Sequence, residues 1–206
     1  SARLTGRLGL QMNQGRASYR NVCVRPLRYR GLWNGVDLSG WRVVPGGKAE
    51  FGVREGLLHV AGGPGFLESD GEYSDFVLKV TSRLNKPELN SGVFFRALAG
   101  TESAPSHGYE MQLQNGVKGG DRSQPADGGT GAIFRRAAAR YVVGDDGQFL
   151  TAVLIADGDR FCSWVNGYQV VNWRDERADH ENARQGRRLG AGHFSLQGHD
   201  PGTDVD

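Results

Sequence analysis

The stretch GYEMQLQN (108–115) sets Glu110, Gln112 and Gln114 at alternate positions, with Tyr109, Met111 and Leu113 between them. Alternate side chains of an extended strand leave opposite faces, so the three polar groups share one face and the three apolar ones the other. NSGVFFR (90–96) repeats the arrangement, with Val93 and Phe95 on the apolar side and Asn90, Phe94 and Arg96 opposite. HFSLQGHD (193–200) turns Phe194 and Leu196 inward and leaves Ser195, Gln197 and His199 outside. Three strands thus offer one carboxylate, one guanidinium, one imidazole and several amides. Amides and an Arg beside an aromatic ring suit a saccharide, because hydroxyls want paired donors and acceptors while the C–H face of the ring wants an apolar plate. The same pattern also describes a wetted sheet face on which Arg96 and Glu110 form a cross-strand ion pair worth little.

The elements that would position these groups are strands. Period-two alternation recurs over 51–62, as a hairpin turning near Glu55-Gly56, and over 75–84, 92–98, 131–136, 149–158 and 160–173. VNGYQV (165–170) carries the Asn-Gly signal of a tight hairpin. Thirty-two glycines among 206 residues, with abundant Val, Phe, Tyr and Trp, fit short strands joined by turns and an all-β sandwich of antiparallel sheets. Trp41 and Trp164 lie in alternating patterns and are expected in the core; Trp173, before an acidic run, is expected at the surface. DERADHENARQGRR (175–188) has no apolar stripe and reads as a solvated loop. The glycine-rich 119–134 lacks a Lys-Ser/Thr step, so it is expected to be a loop over the polar face, carrying Asp121 or Asp127 toward a ligand, rather than a phosphate cradle.

Composition excludes several classes. A net charge of +2 with basic and acidic residues interspersed leaves no stripe for nucleic acid. No apolar run approaches the roughly 18 residues that cross a bilayer as a helix, and no signal peptide is visible. Cys23 and Cys162 have no metal-binding spacing; they could pair or stay reduced. Neither a G-x-S-x-G elbow nor an ExDxxE strand occurs, which argues against a serine nucleophile and against a pair of glycosidase carboxylates.

The chain also repeats itself. Aligning Leu10-Gln11 with Leu196-Gln197 superposes a small-to-apolar pattern, a Leu-Gln step and a polar turn, and the first copy runs on into SYRNVCVRPL (18–27), which alternates like a strand. Residues 1–29 are therefore expected to be the closing strands of a preceding copy of the domain, or a permuted last strand. Residues 30–206 would then be the domain itself without that strand.

LWNGVDLSGW (32–41), NSGVFFR, GYEMQLQN, TGAIF (130–134), WVNGYQV (164–170) and SLQGHDPGTD (195–204) occur in an order that resembles the 3-keto-disaccharide hydrolase domain family over about residues 30–206. The resemblance implies a concanavalin A-like jelly-roll β-sandwich of two antiparallel sheets, exported to the periplasm or the outside of a bacterium, with a carbohydrate as partner. It also implies a hydrolase that opens 3-keto-glycosides by abstracting the C2 proton, eliminating the group at C1 and adding water. That chemistry needs a base, a cationic or hydrogen-bonding hold on the enolate oxygen, and an acid. Glu110, as the carboxylate on the polar face of the three strands, is the candidate base; Arg96 would hold the enolate oxygen. His199 would act as acid or bind a divalent metal, alone or with Glu110. Gln112, Gln114, Asn115, Gln197 and Phe94 would orient the substrate. The rival reading is a non-catalytic carbohydrate-binding jelly-roll module, since the fold serves both purposes.

Overall fold

The structure, a computed structural model, describes residues 9–20, 22 and 29–206. Its contacts divide into two compact units, 1–31 and 32–206. In the first, Tyr19 donates its hydroxyl to the carbonyl of Gln11 at 2.6 Å, and Leu10, Met12, Tyr19 and Val22 are exposed. The strand expected over 18–27 is not formed at residues 18–20 or 22; the rest of that stretch, Cys23 included, lies outside the described residues.

The second unit is built of strands. In chain order they are β1 (Trp41–Val43), β2 (Glu50–Arg54), β3 (Leu57–Ala61), β4 (Gly65–Tyr73), β5 (Phe76–Ser82), β6 (Ser91–Ala97) and β7 (Tyr109–Leu113). There follow β8 (Val117–Lys118), β9 (Asp121–Pro125), β10 (Leu150–Asp157), β11 (Arg160–Val165), β12 (Tyr168–Arg174), β13 (Gly192–Gly198) and β14 (Asp204–Val205). One antiparallel sheet runs β1-β4-β13-β6-β7, and a second runs β12-β11-β10-β5. A bridge between Leu84 and Val205, flanked by backbone hydrogen bonds linking Arg83 with Asp206 and Asn85 with Asp204, joins the second sheet to β14-β3-β2.

The two layers bury one face each, as the alternation predicts. Val93, Phe95, Tyr109, Met111, Leu113 and Phe194 from the first sheet meet Leu150, Ala152, Leu154, Ala156, Phe161 and Val165 from the second. Aromatic rings stack through this layer, with Phe95 5.2 Å from Tyr109 and Tyr109 4.6 Å from Phe161. The result is the jelly-roll sandwich that the resemblance implied. Three tryptophan placements differ from expectation: Trp41 is half-buried outside both apolar clusters, its Nε1 donating to the Leu32 carbonyl. Trp164 pairs with Val153 on the outer face of its sheet, whereas Trp173, also half-buried, stacks on Phe161 at 5.6 Å against the core. A bulge in β12 opposite Ser163 and Trp164 shifts the alternation, turning both Val170 and Val171 into the core and bringing Trp173 inward after them.

A second bulge has a larger effect. Between the pairs Phe94–Ser195 and Ala97–His193, β6 has two residues where β13 has one, and Arg96 takes a left-handed φ of 48°. The side chain of Arg96 consequently leaves the face it would share with Phe94. It lies fully buried 5.2 Å over the Phe161 ring, donating to the carbonyls of Ser74, Gly158 and Arg188 at 2.7–2.8 Å and to the Asp75 carboxylate at 3.0 Å. One guanidinium thus ties the β4–β5 turn, the β10–β11 turn and the approach to β13. At another corner Asp206 accepts hydrogen bonds from Arg54, His59, Arg83 and Asn85 at 2.5–3.0 Å. Burial works against its charge, yet these donors win and hold its carboxyl well below the usual range.

Removing Arg96 should therefore act on stability. Arg96→Met is expected to cost about 3–5 kcal/mol, because it strips three carbonyls and a carboxylate of their donor at once. Urea denaturation reads the loss; a midpoint within error of the parent would disprove the clamp.

Candidate functional site

The polar face of the five-stranded sheet is laid out by register. Glu68 on β4, Ser195 on β13, Phe94 on β6 and Glu110 on β7 form one row, and Gln197, Gly92 and Gln112 form the next. Glu68 is two-per-cent exposed and held by Arg42 and by the Gly100 amide at 2.8 Å. Three strand spacings separate it from Glu110, about 14 Å at the usual interval, too far for the two to flank one glycosidic bond.

Glu110 sits at the edge of the sheet, where a loop strand would be exposed. The segment 130–134 covers that edge, with hydrogen bonds from Gln112 N to Ala132 O, Gly131 N to Gln112 O and Phe134 N to Glu110 O. The carboxylate is 6% exposed, and Arg184 approaches it to 3.4 Å. Burial pushes its pKa up to about 7, opposed by the charges of Arg184, His199 and Arg135 and reinforced by Asp127. A carboxyl poised at that value can give or take a proton near neutrality. Gly92 makes room for it: a Cβ there would stand 2.7 Å from Glu110 Oε1.

Beside Glu110, the Gln112 amide donates to Asn90 Oδ1 and to Asp127, each at 3.2 Å, while Asn90 donates to Asp127 at 2.8 Å. Of the two acids expected on the glycine-rich loop, Asp127 reaches this face; Asp121 instead accepts from Ser123 within its own turn. Gln112 Oε1, Ser195 Oγ and Gln197 Oε1 are buried atoms without a hydrogen-bond partner in the protein. Two of these atoms lie on β13 and one on β7, with β6 between them, and hydroxyls of a ligand could satisfy them.

The expected residues separate into two groups. Glu110, Gln112 and Gln197 come together, with His199 near enough for its charge to act on Glu110 while its own Nδ1 meets Asp200 at 2.9 Å. Four others are differently engaged. Arg96 is in the clamp described above, on the core side of β6, and is not beside Glu110. Phe94 is fully buried under the Arg184 guanidinium, 5.1 Å from its ring, and against Phe66, so it offers no open plate. Gln114 accepts from the Gly116 amide, and Asn115 bridges Thr130 and Asp146, so both amides fix the exit of β7 instead of facing a ligand. As for a metal, no three His, Cys, Asp or Glu side chains converge as a ligand set among the described residues.

The cation beside Glu110 is Arg184, from the run read as a solvated loop. That loop is anchored from below: buried Asp175 accepts from Tyr109 at 2.7 Å and from Arg177, which reaches on to the carbonyls of Ala183 and Gly186. Ala183 is itself buried and delivers its neighbour Arg184 to the cleft. The only local signal is an Asp and an Arg two residues apart with small residues in a charged stretch, too weak to separate an anchored loop from a free one. Glu110, Phe134, Arg135, Arg136, Ala183 and Arg184 are among the residues lining a cleft of about 100 Å³. Phe134, Arg135 and Arg136 also border a wider groove of about 540 Å³, which Lys118 and Asp127 line as well.

Among solved structures, the fold is similar to a candidate glycosyl hydrolase from Parabacteroides distasonis (TM-score 0.65, 20% identity, 84% of this chain and 88% of that one). It is also similar to the carbohydrate-binding module CBM66 from Bacillus subtilis (TM-score 0.55, 16% identity, 81% of this chain and 90% of that one). No curated protein matches the sequence. Residues 28–205 match the 3-keto-alpha-glucoside-1,2-lyase-like domain, and the chain belongs to that family.

Proposed function

We propose that the chain cleaves glycosides carrying a ketone at C3, by elimination followed by hydration, with Glu110 as the base. The observation that carries this reading is the Glu110 carboxyl itself: buried, raised to about 7, and on the same strand face as Gln112, whose Oε1 has no partner in the protein. A carbonyl at C3 acidifies the C2 hydrogen, which an ordinary glycoside lacks as a reactive site. Glu110 takes that proton and the electron pair of the C–H bond becomes the enolate. The enolate then restores the C3 carbonyl, forms the C1–C2 double bond and expels the C1 oxygen substituent, which leaves with a proton. Water adds across the double bond, its hydroxyl to C1 and a proton to C2, so the net change is hydrolysis.

Arg184, within 3.4 Å of Glu110, is the cation that would steady the enolate oxygen. It takes the part that Arg96 was expected to play. His199 at the surface is the acid assigned to the leaving oxygen, with Asp200 holding its ring. Gln112 and Gln197 would orient hydroxyls through their unpaired oxygens. The same reading puts the protein outside the cytoplasm of a bacterium, following the family resemblance. A binding module without catalysis would use the same amides but would have no use for a buried, near-neutral acid.

Two outcomes follow for Glu110. Glu110→Gln should lower kcat/KM on a 3-keto-glucoside by about 10²–10⁴-fold, and the parent activity should climb with pH through about 7 as the base ionises. Sugar binding without turnover in the parent protein would defeat the enzyme reading and leave the recognition module. The second outcome concerns stability. Because its folded pKa lies above the unfolded value, Glu110 destabilises the fold increasingly between about pH 4 and 7, with no penalty below that window and the whole penalty above it. Glu110→Gln should accordingly be more stable than the parent at pH 8, by about 1–3 kcal/mol, and equal to it near pH 4. Paired urea titrations at the two pH values measure this; a variant less stable at pH 8 would contradict the raised pKa.

A further inference from the structure

The cleft around Glu110 contains more positive charge than its proposed chemistry uses. Arg184 has Glu110 as its partner, but Arg135 and Arg136, on the same wall, have no carboxylate within ion-pairing distance among the described residues. Arg136 spends two of its N–H groups on backbone carbonyls, those of Arg135 at 3.3 Å and Arg184 at 2.7 Å, which fixes the guanidinium and leaves the rest of its donors unspent. Arg135 is exposed and lies 5.3 Å over the Phe134 ring. Burial, with the nearby Arg177 and Arg184 charges, presses the Arg136 guanidinium below its ordinary value, and the opposing Asp175 charge offsets this only in part. A planar fork, immobilised and unpaired, is suited to an oxyanion.

The two cavities meet at these residues. Phe134, Arg135 and Arg136 line both the small cleft that holds Glu110 and the adjoining groove, whose 540 Å³ lies within the range of ligand pockets. Lys118 and Asp127 line the same groove, together with the apolar Ala132, Ile133 and Ala137. A ligand whose reacting carbon faces Glu110 would present its neighbouring portion to Arg135 and Arg136.

We propose that this site selects acidic saccharides, with an oxyanion close to the bond being cleaved received by Arg135 and Arg136. The inference rests on the reading of Glu110 as the centre of the ligand site and adds the class of ligand. Two kinds of sugar carry such a group, a uronic acid and a sulfate ester, and both would meet the same forks.

The test compares binding and turnover separately. Calorimetric titration with methyl glucuronide, glucose 6-sulfate and methyl glucoside should give one or both acidic sugars an affinity about tenfold above the neutral one at low salt, with the advantage falling toward unity near 0.5 M NaCl. Whichever acidic sugar shows the advantage names the source of the anion. Arg135→Gln, a substitution at an exposed position that should fold normally and that leaves Arg136 in place, is expected to lower the ratio of acidic to neutral affinity by about threefold. Matched 3-keto-glycosides with and without the acidic group should show the same preference in kcat/KM. Equal affinities for all three sugars, or a preference that Arg135→Gln leaves intact, would overturn the proposal. Tighter binding of the acidic sugars without turnover of any 3-keto-glycoside would defeat the enzymatic reading and uphold this one.

Discussion

The reversal of side-chain phase at Arg96 is the constraint on which the layout of both faces depends. Up to Phe95, β6 alternates regularly, and a regular strand would have sent residue 96 to the open face. The left-handed backbone and the extra residue opposite β13 send it to the core side instead. A guanidinium can remain there only if its N–H groups are met, and three turn carbonyls and Asp75 converge to meet them. The turns between β4 and β5 and between β10 and β11 are therefore bound to the strand that borders the site. Ala97, thrown to the other face by the same reversal, joins Val44, Phe66 and Phe94 in a small apolar cluster on the face that bears the polar row.

That cluster explains how Glu110 comes to be buried on a face that is otherwise polar. Phe94 is its neighbour across the strands, Arg184 caps Phe94, and the segment 130–134 shields the sheet edge. Water is displaced from around the carboxylate by packing on one side and by a loop on the other. Arg184 offsets only part of the desolvation cost, so the carboxyl comes to rest near neutrality instead of at the low value of a fully paired acid. The loop that supplies Arg184 is in turn secured by Asp175, whose partner Tyr109 adjoins Glu110 in the chain and points the other way into the core. Successive residues of β7 thus serve the two sides of one arrangement, Tyr109 anchoring the loop and Glu110 receiving its cation.

The polar face also has a clear division of labour. Glu68 with Arg42, and Gln114 with Asn115, are satisfied within the protein and shape the surroundings. Gln112, on the same edge strand as Glu110, and Ser195 and Gln197, two strands away on β13, keep unpaired oxygens. Buried polar atoms left without partners in the protein cost stability unless water or a ligand supplies the hydrogen bonds.

Local alternation alone determined a great deal of this. The inward sets Val93–Phe95, Tyr109–Met111–Leu113 and Phe194–Leu196 and the outward Glu110, Gln112 and Gln197 follow from a period of two, because each strand must bury one face. The jelly-roll class was likewise legible in the strand spacing and in motifs shared with the family. Only tertiary structure decided which cation stands by Glu110, since a bulge at Arg96 and an anchor at Asp175 depend on partners more than 20 and 60 residues away. It also decided that Phe94 is covered, that Gln114 and Asn115 are spent on a turn, and that Trp164 faces outward while Trp173 packs against the core. Strand periodicity assigns a side to each residue, but it has no knowledge of an inserted residue in a neighbouring strand or of a loop folding back over the sheet; those are set by long-range packing.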